Sequence, residues 1–330
     1  MESVRLGNSG LKVSKLCLGT MTFGFQVDEP TSIDILDAAN EYGINFLDVA
    51  DSYPLGGTLE TVGRTEEIIG RWLKGRRSEF VIATKCSMPM GPRPFDQGNS
   101  RKHIFDAIDA SLARLKTDYI DLYQLHRFDP ETPLQETMQA LDDLVRIGKV
   151  RYIGASNFLA YQLCKAQGVA EVAHLSKFTT IQPRYNLLFR EFERELFPLC
   201  EMDSIGVIPY NPLAGGMLSA KHDRSLAPPE GTRFSLGSAK QLYQTRYWHE
   251  SAFAAVLEIA KVAESLDIKV ATLALAWVLQ NPVVSAPIIG ASSPGQLSDT
   301  VAALQVTLEP ETMVALDEIT RHFRYGDADR

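Results

Sequence analysis

The 330-residue sequence has only four cysteines, Cys17, Cys86, Cys164 and Cys200, and no pair stands at metal-ligand spacing. So few thiols in so long a chain exclude a disulfide-built scaffold and point to reduced cysteines, as in cytoplasmic proteins. No apolar run is long enough to cross a bilayer. The longest helix-like one, VATLALAWVL at 270–279, is far short of the roughly 20 residues needed. The N-terminus MESVRLGNSG lacks the basic start and apolar core of a signal peptide. The expected location is the cytoplasm, without membrane insertion. Positive charge is also in deficit, with 33 Lys and Arg against 41 Asp and Glu, a net charge of −8. That balance argues against nucleic acid as a partner, while leaving room for one local basic pocket. Missing too are GxGxxG, the P-loop, HExxH, CxxC and GxSxG. Metal-assisted and serine-nucleophile hydrolysis lose support, and no metal is expected. The absent GxGxxG excludes only the Rossmann route to a nicotinamide cofactor, not the cofactor itself.

What is present is an alternation of short apolar runs and amphipathic segments. Eight runs have strand length: 16–21, 44–50, 80–85, 119–126, 150–156, 179–185, 206–212 and 285–291. Helical patterns lie between them. In TPLQETMQALDDLVRIG, Leu134, Met138, Leu141, Leu144 and Val145 share one face; Thr132 is the expected N-cap, Pro133 the first helical residue, Gln135 the partner in a capping box and Gly148 the C-terminal cap. Eight β/α repeats imply a parallel sheet and a closed (β/α)8 TIM barrel, with an open doubly wound sheet as the alternative. Three segments are extra: an N-terminal hairpin within 1–15 turning at Asn8–Gly10, two helices near 251–266 and 270–280 before the eighth strand, and a helix near 310–322. With no interior linker, residues 1–330 read as one domain. The stretches 87–99 and 213–250 read as long irregular loops, and 323–330 as a frayed tail.

The stretch NFLDVADSY (45–53) sets a carboxylate inside an apolar run. Asp48 is expected to be buried and therefore to need a cation, for which Lys85 at the end of the next strand is the candidate. Asp51 reads as a solvated residue without a role. Other strands also end in polar residues: Tyr53 follows the second, His126 ends the fourth, Ser156 and Asn157 follow the fifth, Gln182 lies in the sixth, Tyr210 and Asn211 in the seventh, and Gly290 and Ser292 close the eighth. In a barrel these ends converge on one face. A tyrosine beside a buried ammonium is expected to have a lowered pKa and to exchange a proton with a carbonyl oxygen near neutral pH, with His126 bonding the same oxygen. Singly, each residue is more often a packing or rim residue; the ring of them makes the site.

These residues make the chain resemble the aldo-keto reductase superfamily, in the branch of potassium-channel β subunits and bacterial general aldo/keto reductases. FLDVADSY is similar to the family's Asp-x-Ala-x-x-Tyr element, VIATK carries its lysine and YIDLYQLHRFDPETP its histidine. The resemblance implies Tyr53 as general acid/base, Asp48 and Lys85 as its tuning pair and His126 as carbonyl-orienting donor. It implies a nicotinamide cofactor held by Thr20, Met21 and Asp48, by Ser156, Asn157 and Gln182 at the carboxamide, by Tyr210 stacked on the ring, by the loop Asn211, Pro212, Leu213, Ala214, Gly215 at the pyrophosphate, and by Lys221, Arg233, Gly290, Ser292 and Gln296 at the phosphate and adenine end. Ser293 and Asp299–Thr300 depart from the family's usual basic residue and Glu–Asn pair. NADP(H) is the expected cofactor and NAD(H) the alternative. Phe23, Phe25 and Trp248, with the 87–99 loop, Tyr243 and Tyr247, are the expected pocket walls for a small carbonyl or alcohol substrate. Reversible reduction of an aldehyde or ketone is the implied activity. A cofactor-binding regulatory subunit and an alcohol-oxidising dehydrogenase are the alternatives. The sequence names neither the substrate nor an oligomeric partner.

Overall fold

The computed structural model describes residues 1–326, so the end of the expected tail, 327–330, lies outside the described residues. Its elements, in chain order, are β1 (Ser3–Arg5), β2 (Lys12–Ser14), β3 (Cys17–Gly19), α1 (Glu29–Glu41), β4 (Phe46–Asp48), α2 (Arg64–Trp72), β5 (Val81–Cys86), α3 (Arg101–Leu115), β6 (Ile120–Leu125), α4 (Leu134–Arg146), β7 (Val150–Ser156), α5 (Ala160–Val172), β8 (Thr180–Gln182), α6 (Leu196–Met202), β9 (Gly206–Val207), α7 (Lys240–Tyr247), α8 (Glu250–Ser265), α9 (Val270–Leu279), β10 (Ile288–Ile289), α10 (Gln296–Ala302) and α11 (Pro310–Thr320). The eight strands from β3 to β10 form one parallel sheet in the order β10-β3-β4-β5-β6-β7-β8-β9. The sheet closes on itself: the Ser285 and Ile288 N–H groups donate to Val207 O and Pro209 O at 2.8 Å each. This is the (β/α)8 barrel, with the extra helices α7, α8 and α9 before the last strand.

Period-two alternation divides each strand between two apolar layers. Leu47, Ile82, Tyr123, Ile153 and Ile181 face outward into the layer shared with the helices. Cys17, Phe46, Ala83, Leu122, Ile208 and Ile288 face inward. The hairpin β1–β2 closes the bottom of the barrel, where Leu6 and Val13 join that inner cluster. Two residues further along, the inner face turns polar: Asp48 after Phe46, Lys85 after Ala83, Gln124 after Leu122, Gln182 after Thr180 and Tyr210 after Ile208. Gly154 makes this crowding possible, because a Cβ there would lie 2.3 Å from Thr180 Oγ1 and 3.2 Å from Gln124 Cγ.

Several expectations need correction. α4 begins at Leu134 with Pro133 as its N-cap; the Thr132 hydroxyl donates instead to Asp129 Oδ2 at 2.6 Å, and no capping box forms. Gly148 follows the helix at φ 81°, as expected of a C-terminal glycine. The stretch 213–250 is not all irregular, since it contains α7 and two 3-10 turns. Nor are residues 323–325 a frayed tail. Residues 321–325 form a 3-10 turn in which Phe323 is buried and its carbonyl accepts from the Arg190 N–H at 2.9 Å. Among the described residues no helix is long and apolar enough to cross a membrane.

Candidate active site

At the C-terminal mouth of the barrel, Lys85 Nζ is fully buried and makes three contacts. It donates to Asp48 Oδ2 at 2.7 Å, to Val49 O at 2.9 Å and to Tyr53 OH at 3.2 Å. The second carboxylate oxygen of Asp48 accepts from Gln182 Nε2 at 2.7 Å and from Gln124 Nε2 at 3.3 Å. Both oxygens are therefore satisfied, and the buried charge is paired as burial demands. The Tyr53 ring stands edge-on to His126, with centroids 5.8 Å apart. Sequence reasoning missed Gln124. The signal was there: it lies two residues before His126, on the same face of the strand.

The electrostatics refine this picture. Burial opposes the Lys85 charge, but Asp48 and Tyr53 outweigh it and hold the ammonium above its usual pKa. His126 is held well below its usual value, by burial first and then by repulsion from Lys85 and Arg127, so its imidazole is neutral at pH 7. Tyr53 does not follow the expected lowering. Burial pushes its phenol up to about 12, Lys85 pulling down and Asp48 pushing up. The ammonium moderates the shift without reversing it, and the phenol keeps its proton.

A network links the other half of the mouth to this cluster. Tyr210 OH donates to Asn157 Oδ1 at 2.8 Å, and Asn157 Nδ2 donates to His126 O at 2.9 Å and to Ser156 Oγ at 3.0 Å. Ser156 Oγ donates to Gln182 O at 2.9 Å, and Thr20 Oγ1 to Asp48 O at 2.9 Å. Met21 O anchors the Leu55 N–H at 2.7 Å. The chain then turns sharply through Asn211, Pro212, Leu213, Ala214 and Gly215, with left-handed backbone at Asn211, Ala214, Gly215 and Gly216. Tyr243 of α7 packs on this turn: a Cβ on Gly215 would lie 2.5 Å from its ring. Arg233 Nη1 reaches Tyr243 OH at 3.4 Å and its guanidinium lies beside Gly290, while Ser292 and Gln296 bond each other at 2.9 and 3.0 Å. Lys221 stands exposed on the loop that follows this turn.

Of the expected pocket walls, Phe25 is 46% exposed and available. Phe23 is not, being fully buried in the core. Trp248 packs into an aromatic cluster with His222, Phe234 and Phe253. The loops after β5 and β6 border an open cleft of about 550 Å³, lined by Phe95, Gly98, Arg127, Phe128, Asp129 and Thr132 among others, with Tyr53 not in its lining. Asp51, expected to be solvated, is fully buried. Among the described residues no group of His, Cys, Asp and Glu is arranged to hold a metal ion.

The comparisons with known proteins agree with this architecture. Residues 15–321 match the aldo/keto reductase family. The chain belongs to that family. It is 41% identical to an uncharacterized oxidoreductase, YrpG, of Bacillus subtilis, covering 97% of this chain and 96% of the relative. It is 36% identical to the versiconal hemiacetal acetate reductase of Aspergillus parasiticus, over 96% of each. It is 38% identical to a probable voltage-gated potassium channel subunit beta of Arabidopsis thaliana, over 97% of this chain and 95% of that one. As an aldo/keto reductase the chain is an oxidoreductase of a family that acts on small carbonyl compounds and generally uses nicotinamide cofactors.

Proposed function

We propose that the chain reduces an aldehyde or ketone with NADPH, with Tyr53 as the proton donor. One observation carries this reading: the buried Lys85 ammonium lies between the Asp48 carboxylate and the Tyr53 hydroxyl, at 2.7 and 3.2 Å. A nicotinamide, when bound, supplies the hydride. The residues of the mouth suit such a group. Asn211 Nδ2 is buried without a partner among the described residues, the 211–216 turn presents the concave left-handed backbone that favours anions, and Arg233 brings a cation to the same side. Arg233 beside Gly290 favours a cofactor with an extra phosphate, hence NADP(H) over NAD(H). Asn157, Ser156 and Gln182 offer amide and hydroxyl groups for a carboxamide, and Tyr210 a flat ring.

Each side chain then has a defined task. Tyr53 passes its phenolic proton to the carbonyl oxygen as negative charge grows there. Lys85 stabilises the phenolate left behind, and Asp48 fixes Lys85 in place. His126, neutral, offers its N–H to the same oxygen. A phenol pushed up to about 12 stays protonated near neutral pH, the form that reduction requires and alcohol oxidation does not, while Lys85 offsets part of the cost of giving up that proton. The likeness to a channel β subunit keeps a regulatory role as a second reading, in which the bound cofactor reports redox state. The cytoplasm is the proposed location.

Tyr53→Phe tests the mechanism. NADPH oxidation with a panel of aldehydes, ketones, sugars and steroids is expected to vanish, while NADPH binding by fluorescence titration stays close to wild type. Normal turnover in that variant would reject Tyr53 as the acid. A wild type inactive on the whole panel, with cofactor still bound, would favour the regulatory reading.

A further inference from the structure

Behind the mouth lies a second buried polar cluster that the proposed reaction does not use. It sits between the outer face of the sheet and helices α2 and α3. Glu66 of α2 is fully buried and saturated: Thr84 Oγ1 donates to its Oε1 at 2.6 Å and Arg114 Nε to its Oε2 at 2.7 Å. Asp51 is also fully buried, and neither of its carboxylate oxygens has a hydrogen-bond partner among the described residues. Its backbone N–H donates to Lys85 O at 3.1 Å, which fixes it against the catalytic strand. The groups that face it are Glu66 from α2, Arg114 from α3, Lys85 and Cys86 from β5, and Tyr123 from β6.

The charges of this region can be counted. Asp48, Asp51 and Glu66 are carboxylates; Lys85 and Arg114 are the cations that act on them. Cys86 and Tyr123 are pushed upward by burial and stay neutral. Lys85 is committed to Asp48 and Arg114 to Glu66, so one carboxylate is left over, and it is the one without a partner. An unpaired buried carboxylate takes up a proton rather than stand charged. We infer that Asp51 is a carboxylic acid in the resting protein, holding the one proton that balances three carboxylates against two cations, and that as a neutral group it leaves Lys85 to Asp48 and Tyr53. Burial and the neighbouring Glu66 push its pKa in the same direction, against smaller pulls from Arg114, the Ser52 N–H and Lys85. Asp51 is thus a positioning residue for Lys85. That role rests on the proposed function; its protonation does not.

Infrared difference spectroscopy on the full-length protein at neutral pH tests the inference. The C=O stretch of a protonated carboxyl group is expected in wild type and absent from Asp51→Asn. It is expected to be lost also from Glu66→Gln, where two carboxylates face two cations and Asp51 ionises, and to persist in Arg114→Lys, which leaves the count unchanged. A band that survives Asp51→Asn, or one that survives Glu66→Gln, overturns the assignment. In turnover, Asp51→Asn is expected to hold its kcat/KM to higher pH than wild type, because it has no proton to lose beside Lys85. Coincident alkaline limbs would remove the positioning role. If no substrate is turned over by wild type, the proposed function fails and the infrared result still decides the protonation.

Discussion

Asp48 and Asp51 stand three positions apart and are both buried, yet they lie on opposite sides of the barrel wall. Asp48 points inward and is fully engaged, with Lys85 on one oxygen and Gln182 and Gln124 on the other. Asp51 belongs to the outer layer, faces another carboxylate and has no hydrogen-bonded cation among the described residues. The difference shows that burial alone does not make a carboxylate functional or charged. The inner set keeps its charges because each is paired, and the pairing aims an ammonium at Tyr53. The outer set gains its cohesion from Glu66, Thr84 and Arg114, which tie α2 and α3 to β5.

Lys85→Met should separate the two sides most sharply. It removes the cation that serves Tyr53 and strands Asp48. Turnover is expected to fall on the order of 10³-fold, and unfolding stability to drop by about 3–5 kcal/mol. Assays on folded protein, checked by circular dichroism and urea titration, measure both. Near-normal turnover would break the distinction between inner and outer sets.

Arg114→Met is the matching change outside. It strands Glu66, and the expected loss is again about 3 kcal/mol or more, tempered because the Arg114 side chain is 19% exposed. Turnover per folded molecule is expected to stay close to wild type, so the variant should be unstable but active. A loss of turnover as deep as that of Lys85→Met would mean that the two sets act as one.

The inner half of this comparison was legible in the sequence and the outer half was not. Asp48 announced itself because Phe46, Leu47, Val49 and Ala50 surround it, and its partner lay on the next strand, two residues beyond Ala83, which pairs with Asp48 in the sheet. His126 and Gln182 were legible as polar residues at or near the ends of apolar runs, which a barrel brings to one face. Asp51 escaped because its burial is supplied by Glu66 and Arg114 on helices distant in sequence, which no local pattern reveals. Phe23 was misplaced for a related reason: an aromatic near the mouth reads alike whether it lines a pocket or packs behind one. The helix α7 was missed because KQLYQTRY has few apolar residues. Its place is held by tertiary contacts of Tyr243 and Tyr247, the latter accepting from Asn186 Nδ2 at 3.1 Å.

The amide shell around Asp48 predicts a graded effect. Gln182→Leu is expected to cost more stability than Gln124→Leu, since their bonds to Asp48 are 2.7 and 3.3 Å. Each should fall in the range of about 1–3 kcal/mol for removing a donor from a buried charge. Urea midpoints rank the pair, and the reverse order would show that Gln124 is the principal donor.

The smallest effect at neutral pH concerns His126. Its folded pKa lies well below the ordinary histidine value, by burial and then by repulsion from Lys85 and Arg127. The unfolded chain binds a proton at this side chain below about 6.5, whereas the folded protein does not until lower pH. Protons bound by the unfolded state make stability rise with pH, so this contribution is complete above the unfolded value and is lost as pH falls through the window beneath it. His126→Gln has no such group. Wild type is therefore expected to lose stability faster than His126→Gln as pH drops from about 7 to about 5, by at most about 1.4 kcal/mol per pH unit. Thermal melts across that range measure the two slopes. Parallel slopes would mean that His126 charges freely in the folded protein, and a neutral imidazole could no longer be assigned to the carbonyl oxygen.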